Sequence, residues 1–137
     1  MDTIAVGNAG QRYAEHFLRQ KGYKFIARNW RAKFGEIDII YRKPRQYGSF
    51  FSLFASAPQE LVFVEVKALI KQSDAFRPED HLNFAKQRKL RRLAHAYVSY
   101  KELGEIGYQI DLVAIDLDKN LNLVDIRHYP KAIQDNF

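Results

Sequence analysis

Two short acidic segments hold the residues of this chain that are best suited to chemistry. In residues 61–67, Leu-Val-Phe-Val-Glu-Val-Lys, an apolar and β-branched run ends with Glu65 and Lys67. Such a run predicts a strand in the middle of a sheet, with Glu65 and Lys67 on one face and Val64 and Val66 on the other. Burying an ion there costs on the order of several kcal/mol unless a partner, a metal or a substrate offsets it. A solvated Glu–Lys pair at a frayed strand end is the plainer alternative.

A second acidic strand is predicted upstream, over residues 35–41, Gly-Glu-Ile-Asp-Ile-Ile-Tyr. Alternation predicts one face with Glu36, Asp38 and Ile40 and another face with Ile37, Ile39 and Tyr41. If the two acidic strands are neighbours, Asp38 and Glu65 converge, with Lys67 beside them. Two carboxylates can hold Mg²⁺ or Mn²⁺, which would polarise a phosphate and lower the pKa of a water, while an ammonium group offsets developing negative charge. This pattern predicts cleavage of phosphodiester bonds.

The whole chain limits the class of protein. Its 137 residues predict one domain, 1–137, and 47% hydrophobic with 14% aromatic residues predicts a packed core. The lack of cysteine excludes disulfides and thiolate metal sites. No apolar run approaches the roughly 20 residues that span a bilayer, and the N-terminus has no signal-peptide pattern, so we expect a cytoplasmic protein with no membrane partner. The formal charge of +6 and pI of about 9.5 suit a nucleic-acid partner, chiefly DNA.

The positive charge is concentrated in one predicted helix. Five cations fall within seven residues and are predicted on faces away from the apolar side of that helix: Lys86, Arg88, Lys89, Arg91 and Arg92. A solvated helix face is the plainer interpretation. If the cluster flanks the acidic site, each phosphate that it neutralises would steepen the salt dependence of binding by about 0.9 log units per log unit of salt. The four histidines lack metal-site spacing, so zinc binding is not predicted.

The elements that must position these residues follow the order α-β-β-β-α-β-β. Besides the two acidic strands, the predicted elements are a helix from about Asn8 to Gly22, a strand over 23–30, a helix over about 79–102, and strands over 108–117 and 121–129. A helical crossover predicts that the 61–67 and 108–117 strands are parallel. The predicted fold class is α/β, a mixed sheet flanked by helices.

Three segments between and after these elements are predicted to be irregular. Residues 42–60 combine Pro, Gly and Ser with several aromatic residues, so we expect an insertion that either folds back on the body or forms a contact surface. Residues 68–77 are predicted to be a polar loop, and the tail after Pro130 is predicted to be loosely docked.

Taken together, these motifs resemble the PD-(D/E)xK nuclease superfamily, whose restriction-endonuclease-like fold includes Holliday-junction resolvases and many restriction endonucleases. The resemblance is carried by the element order, with Gly-Glu-Ile-Asp in one strand and Val-Glu-Val-Lys in the next. More closely, the chain is similar to the YraN family of uncharacterised bacterial proteins. The matching segments are Gly7 with Gln11, Ala14 and Leu18, Gly22-Tyr23, Arg28-Asn29-Trp30, residues 35–40 and 62–67, the Lys86-Gln87-x-Lys89-Leu90 helix start, and Asp111.

The resemblance implies a role for several single residues. Asp38 and Glu65 would be ligands of Mg²⁺ or Mn²⁺, with the backbone carbonyl of Val66 as a further ligand. Lys67 would orient or activate the attacking water, and Gln87 matches a position where such nucleases place a polar or basic active-site residue. The implied activity is that of a metal-dependent endonuclease acting on DNA, including branched or structured DNA. Because many resolvase-like nucleases are dimers, a homodimer is also implied.

Two features depart from the family pattern. Gln11 stands in the first helix where the family usually has a glutamate, so as a metal ligand it would supply an oxygen but one negative charge fewer. Glu15 could substitute, although a surface pair with Arg19 is the simpler interpretation. The insertion at 42–60 could reshape or cover a substrate cleft. Three functions stay open: a nuclease, a nucleic-acid-binding protein with weak or lost catalysis, and an interaction module that uses the aromatic insertion.

Overall fold

The computed structural model describes residues 2–44, 59–72 and 77–134. In these residues the elements are α1 (Thr3–Gln20), β1 (Lys24–Ala32), β2 (Gly35–Pro44), β3 (Gln59–Ile70), α2 (Phe84–Tyr100), β4 (Tyr108–Leu117) and β5 (Leu123–Ile133), with a 3-10 turn at Pro78–His81 before α2. The five strands form one sheet in the order β1-β2-β3-β4-β5. The β3–β4 pair is parallel, as predicted, and the other three pairs are antiparallel. The predicted mixed α/β class and element order are confirmed.

The sheet separates two apolar layers. On one side α1 packs against the sheet through Ala14 and Leu18, and on the other α2 packs through Leu93 and Tyr97. Central strand β3 contributes to both layers, with Val62 and Val64 facing α1 and Leu61 and Phe63 facing α2. All four β3 side chains are at most 3% exposed, which confirms the prediction of a strand buried on both faces.

Helix α1 is longer than the sequence predicted. It begins at Thr3 rather than near Asn8, because the Asp2 side chain accepts a hydrogen bond from the Ile4 N–H at 2.9 Å and caps the helix there. It ends as predicted: Gly22 follows the C-cap with φ +92°, a left-handed conformation that costs glycine little. A Cβ at Gly10 would overlap the Cβ of Ala68, so this glycine lets α1 approach β3 closely.

Helix α2 is shorter than predicted. It begins at Phe84 rather than near Glu79, because the Asn83 side chain caps it by accepting from the Lys86 N–H at 3.0 Å. Pro78 begins the separate 3-10 turn that precedes the helix. None of the helices in the described ranges is long and apolar enough to cross a membrane.

Two strands run further than predicted. Strand β3 continues through residues 68–70, where a loop was expected, because its ladder with β4 extends to Ile70 and Leu117. Strand β5 continues to a buried Ile133, so residues 131–133 are part of the sheet rather than of a loosely docked tail. Proline is tolerated there because β5 is an edge strand and one side of its backbone needs no sheet partner. The predicted aromatic insertion falls largely in residues 45–58, which lie outside the described residues.

Candidate active site

The two acidic strands separate at the residues predicted to do chemistry. Strands β2 and β3 are paired from Pro44 and Gln59 as far as Ile39 and Val64, and the next pair in this register would be Asp38 and Glu65. Instead of forming a backbone hydrogen bond between the two strands, the Val66 N–H donates to Asp38 Oδ2 at 2.7 Å. The carboxylate of Asp38 is therefore held in the fork between the two strands, with β3 continuing alongside β4.

The fork coincides with a change of side-chain direction in β2. Ile39 faces the α1 layer, whereas Ile37 lies in the α2 layer with Ile40, so the predicted common face for Ile37 and Ile39 is wrong. Neighbouring β1 changes direction beside it, since Asn29, between the partners of Ile39 and Ile37, has φ +53°. Asparagine tolerates this left-handed conformation better than most residues. The irregularity places Asp38 at the bend of two strands.

Asp38 and Glu65 converge, with their carboxyl groups within hydrogen-bonding distance of one another. Burial raises the pKa of both carboxyl groups, and the proximity of Asp38 raises that of Glu65 further, to about 8. Both side chains nevertheless remain partly accessible to solvent. The pair therefore shares a proton in the absence of added positive charge, because two adjacent carboxylates with little hydration repel one another.

Two lysine side chains lie beside this carboxylate pair. Lys67 interacts electrostatically with Asp38 and Glu65, as the alternation in β3 predicted. Lys86, in the first turn of α2, lies within hydrogen-bonding distance of Lys67 and also interacts with Glu65. Its contact with the Lys67 amine and its partial burial hold the pKa of Lys86 below the ordinary value. The cluster thus contains two acids and two amines, drawn from β2, β3 and α2.

The sequence-based placement of Lys86 on an outer face of the helix is wrong. Lys86 lies four residues before Leu90 and eleven before Tyr97, which is the spacing of the buried stripe. It therefore points toward the sheet and is partly buried. The helical spacing in the sequence could therefore have predicted the position of Lys86. The preceding residue, Ala85, is exposed.

An ionic network fixes the chain just before α2. Arg127 of β5 forms ion pairs with Glu79 of the 3-10 turn at 2.7 Å, and with Asp116 and Asp125 at 2.9 and 2.7 Å. Tyr129 Oη also donates to Glu79 at 2.7 Å. The hydrogen bonds from Arg127 lower the pKa of Glu79 to about 2. The turn is thereby held against β4 and β5, which sets where the first turn of α2 and its Lys86 begin.

The other predicted site residues form hydrogen bonds with the backbone or through it. Gln11 Nε2 donates to the backbone carbonyl of Asp38 at 3.3 Å and to Asn29 Oδ1 at 3.1 Å, so its amide contacts the backbone of the fork. Gln87 Nε2 donates to the Leu82 carbonyl at 3.2 Å, within the start of α2. Val66 follows Glu65 in β3, and its N–H is taken by Asp38.

Two further acids near the site are already paired. Glu36 forms an ion pair with Arg31 at 2.9 Å. Glu15 pairs with Arg28 at 2.7 Å and with Arg19 at 3.9 Å, which confirms the expected surface partner and adds a closer one.

The five cations predicted to bind nucleic acid do not share one face. Lys86 belongs to the acidic cluster. Lys89 lies over Gly35, with Cε 2.5 Å from the position a Cβ would take there, and Arg92 stacks on the Phe34 ring at 4.5 Å, both toward the β1–β2 turn. Arg91 Nη1 donates to the Gln134 carbonyl at 3.4 Å, toward the end of β5. Arg88, Lys89 and Arg92 are exposed.

Asp111, part of the family pattern, lies in a buried network away from the carboxylate pair. It accepts hydrogen bonds from Gln109 Nε2 at 2.7 Å, the Lys131 N–H at 3.0 Å and Tyr23 Oη at 3.2 Å, and its Oδ2 lies 2.7 Å from His128 Nε2. Although burial opposes it, these hydrogen bonds hold the pKa of Asp111 below the ordinary value. Its role is to join β4, β5 and the start of β1.

The carboxylate pair has the donor set that a hard divalent cation requires. In the residues that the structure describes, no group of three or more His, Cys, Asp or Glu is arranged to hold a metal. Mg²⁺ is often held by one or two carboxylates, with waters and substrate phosphates as the other ligands, so Asp38 and Glu65 meet that requirement. The shared proton supports the fit, because the pair needs positive charge to ionise fully.

The fold and this cluster define a class: a mixed α/β sheet with a helix on each face and an acid–lysine cluster at a strand fork, consistent with the PD-(D/E)xK superfamily. Residues 10–115 match the family described as "Uncharacterised protein family UPF0102". The matched range includes both acidic strands and Asp111. The chain belongs to this family, the YraN family of the resemblance above.

Relatives align with nearly the whole chain. The UPF0102 protein of Thermodesulfovibrio yellowstonii is 36% identical over 126 residues, covering 91% of this chain and 96% of the relative. The UPF0102 proteins of Desulforamulus reducens and Roseiflexus castenholzii are each 32% identical over 131 residues. These alignments cover 94% and 95% of this chain, and 95% and 94% of the relatives.

Proposed function

We propose that this protein is a metal-dependent nuclease that cleaves phosphodiester bonds in DNA, including branched or structured DNA. The observation that carries the proposal is the convergence of Asp38 and Glu65 at the strand fork, with Lys67 and Lys86 beside them. Partly buried acids kept as a proton-sharing pair contribute little to stability, and such perturbed groups concentrate at functional sites.

Each residue of the cluster has a distinct task in this proposal. Asp38 and Glu65, with the Val66 carbonyl, would hold Mg²⁺ or Mn²⁺. The bound ion would supply positive charge against the phosphate and acidify a water there. Lys67 would orient the attacking water, and Lys86 would place a second positive charge beside the phosphate, where negative charge grows in the transition state. The fork fixes Asp38 through the Val66 N–H, so the acids need little rearrangement before reaction.

The test is cleavage of a panel of duplex, flap and four-way DNA with Mg²⁺, with Mn²⁺ and with EDTA. We expect cleavage by the wild type that requires the ion and falls by at least about 100-fold in Lys67→Ala, the size of effect seen when one transition-state donor is removed. Lys86→Ala should also lose activity. Glu36→Gln is the matched control, because Glu36 is a neighbouring acid paired with Arg31. Equal cleavage by wild type and Lys67→Ala would identify a contaminant and overturn the assignment.

A second candidate is a nucleic-acid-binding protein whose catalysis is weak or lost. The observation that favours it is Gln11, whose amide replaces a family carboxylate and donates to the Asp38 carbonyl. The same panel separates the two functions, since a binding protein would retain DNA and leave it intact with either ion. Restoring cleavage with Gln11→Glu would then assign the loss to this one position.

A further inference from the structure

Helix α1 carries a second, polar face beside the fork. Its members recur at helical spacing, three and four residues apart, and face β1: Asn8, Gln11, Arg12, Glu15, His16 and Arg19. Arg28 and Asn29 of β1 form the opposite wall of a groove of about 520 Å³. Every one of the eight lining residues is polar or charged. A small-molecule site is usually lined mainly by apolar side chains, so this groove suits a polar, extended ligand instead.

The groove has an excess of positive charge. Three arginines line it with a single acid, Glu15, which is shared by Arg28 at 2.7 Å and Arg19 at 3.9 Å. Arg12 is exposed and makes no ion pair within the described part of the chain. Guanidinium groups present a planar fork of donors that matches phosphate, and they form stronger bonds with charged acceptors than with neutral ones. The free charge in the groove therefore favours a phosphate-bearing ligand.

The groove leads to the carboxylate pair. Gln11, one of its lining residues, donates to Asn29 Oδ1 at 3.1 Å and to the backbone carbonyl of Asp38 at 3.3 Å. The inner wall of the groove is therefore in contact with the strand that presents Asp38. Arg12 and Arg19 are seven residues apart, about 10 Å along the helix. At roughly 3.4 Å of duplex axis per phosphate of one strand, that distance corresponds to a rise of about three phosphates.

We infer that the groove between α1 and β1 binds the sugar–phosphate backbone of the nucleic-acid strand that enters the fork. This inference rests on the proposed nuclease function, because it gives the groove the same substrate as the carboxylate pair. Arg12 and Arg19 contact separate phosphates of this strand, and Arg28 remains paired with Glu15 as the wall of the groove. Contacts of this kind carry no sequence information, so the groove positions the strand and leaves base preference to other contacts.

The test is the salt dependence of DNA binding by Arg12→Ala/Arg19→Ala. This double variant keeps the Arg28–Glu15 pair, and both replaced side chains are exposed, so the fold should be retained; matching thermal unfolding curves check this. Binding of a fluorescein-labelled duplex is followed by anisotropy in EDTA over a series of salt concentrations. We expect the slope of log affinity against log salt to become shallower by about 0.9 for each phosphate that the variant no longer neutralises.

Lys101→Ala/Lys119→Ala is the matched control, because it removes the same charge at the end of α2 and in the β4–β5 turn. It should retain the wild-type slope. An unchanged slope in the groove variant, an equal change in the control, or no DNA binding by the wild type would overturn the inference. So would an equal loss of binding to polyglutamate, which would mark the groove as a general anion site.

The two proposals can fail separately. A shallower slope in the groove variant, with no cleavage by the wild type in either ion, would support the groove and reject the nuclease. Ion-dependent cleavage by the wild type, with an unchanged slope in the groove variant, would reject the groove and leave the nuclease standing.

Discussion

The charged residues at the strand fork do not serve to stabilise the folded protein. Asp38 and Glu65 share a proton, and Lys67 and Lys86 lie close enough for one to lower the pKa of the other. Replacing such a group with a neutral residue of the same shape is often neutral or stabilising. The energetic cost of placing these charges together would be offset when a cation and a phosphate bind to the cluster.

The shared proton predicts how stability depends on pH. Burial and Asp38 raise the pKa of Glu65 from 4.5 to about 8, so the folded state binds a proton that the unfolded chain has released. That contribution is fully present below about pH 4.5 and is lost as pH rises through about 8. In metal-free protein, Glu65→Gln should therefore lose less stability than the wild type across this window. Across this window the change in the free energy of unfolding should differ between the two proteins by on the order of a few kcal/mol. Urea unfolding in EDTA measures this difference. Parallel pH profiles would contradict the shared proton.

At the scale of elements, the site depends on how closely α1 lies against the sheet. Gly10 and Gly7 occupy the same helix, but a Cβ at Gly10 would overlap Ala68, whereas outside the helix backbone no atom of the described residues lies within 4 Å of a Cβ at Gly7. Alanine is the better helix former by up to about 1 kcal/mol, yet overpacking a close contact costs about 1–3 kcal/mol. The close approach of α1 also sets the position of Gln11 against the fork.

These two glycines give a prediction of opposite sign within one helix. Gly7→Ala should raise the free energy of unfolding by up to about 1 kcal/mol, because it gains helix propensity without a clash. Gly10→Ala should lower it by about 1–3 kcal/mol, because α1 must move away from β3. Denaturant unfolding of both variants measures the difference. Stabilisation by Gly10→Ala would show that the helix and strand are not in close contact there.

Some features of these elements could be predicted from the sequence, and others could not. The strands with long apolar runs were predictable, and so was the parallel pairing of β3 with β4, because local pattern and burial agree there. The extension of β5 through Pro130 was not, since it depends on β5 being at the edge of the sheet. Helical spacing could have predicted that Lys86 points toward the sheet, but the run of cations around it favoured a solvated face. The bend at Asn29 and Asp38 involves two strands at once, so no single segment predicts it.

On the scale of the whole molecule, positive charge flanks the fork from both sides. The chain has a formal charge of +6, and its cations include the groove arginines on the α1 side and Lys89 and Arg92 on the α2 side. Positive charge on both sides raises the local concentration of a polyanion near the carboxylate pair. A homodimer, as the nuclease resemblance implies, stays a prediction.

We propose that Asp38 and Glu65 together hold a divalent cation. The most direct measurement is a Mn²⁺ titration of the wild type and of Asp38→Asn, Glu65→Gln and Glu36→Gln, followed by thermal unfolding. Ligand binding to the folded state raises the unfolding temperature progressively with ion concentration. We expect this rise for the wild type and for Glu36→Gln, and its loss in Asp38→Asn and Glu65→Gln. A rise of equal size in Asp38→Asn, or none in the wild type, would contradict the claim.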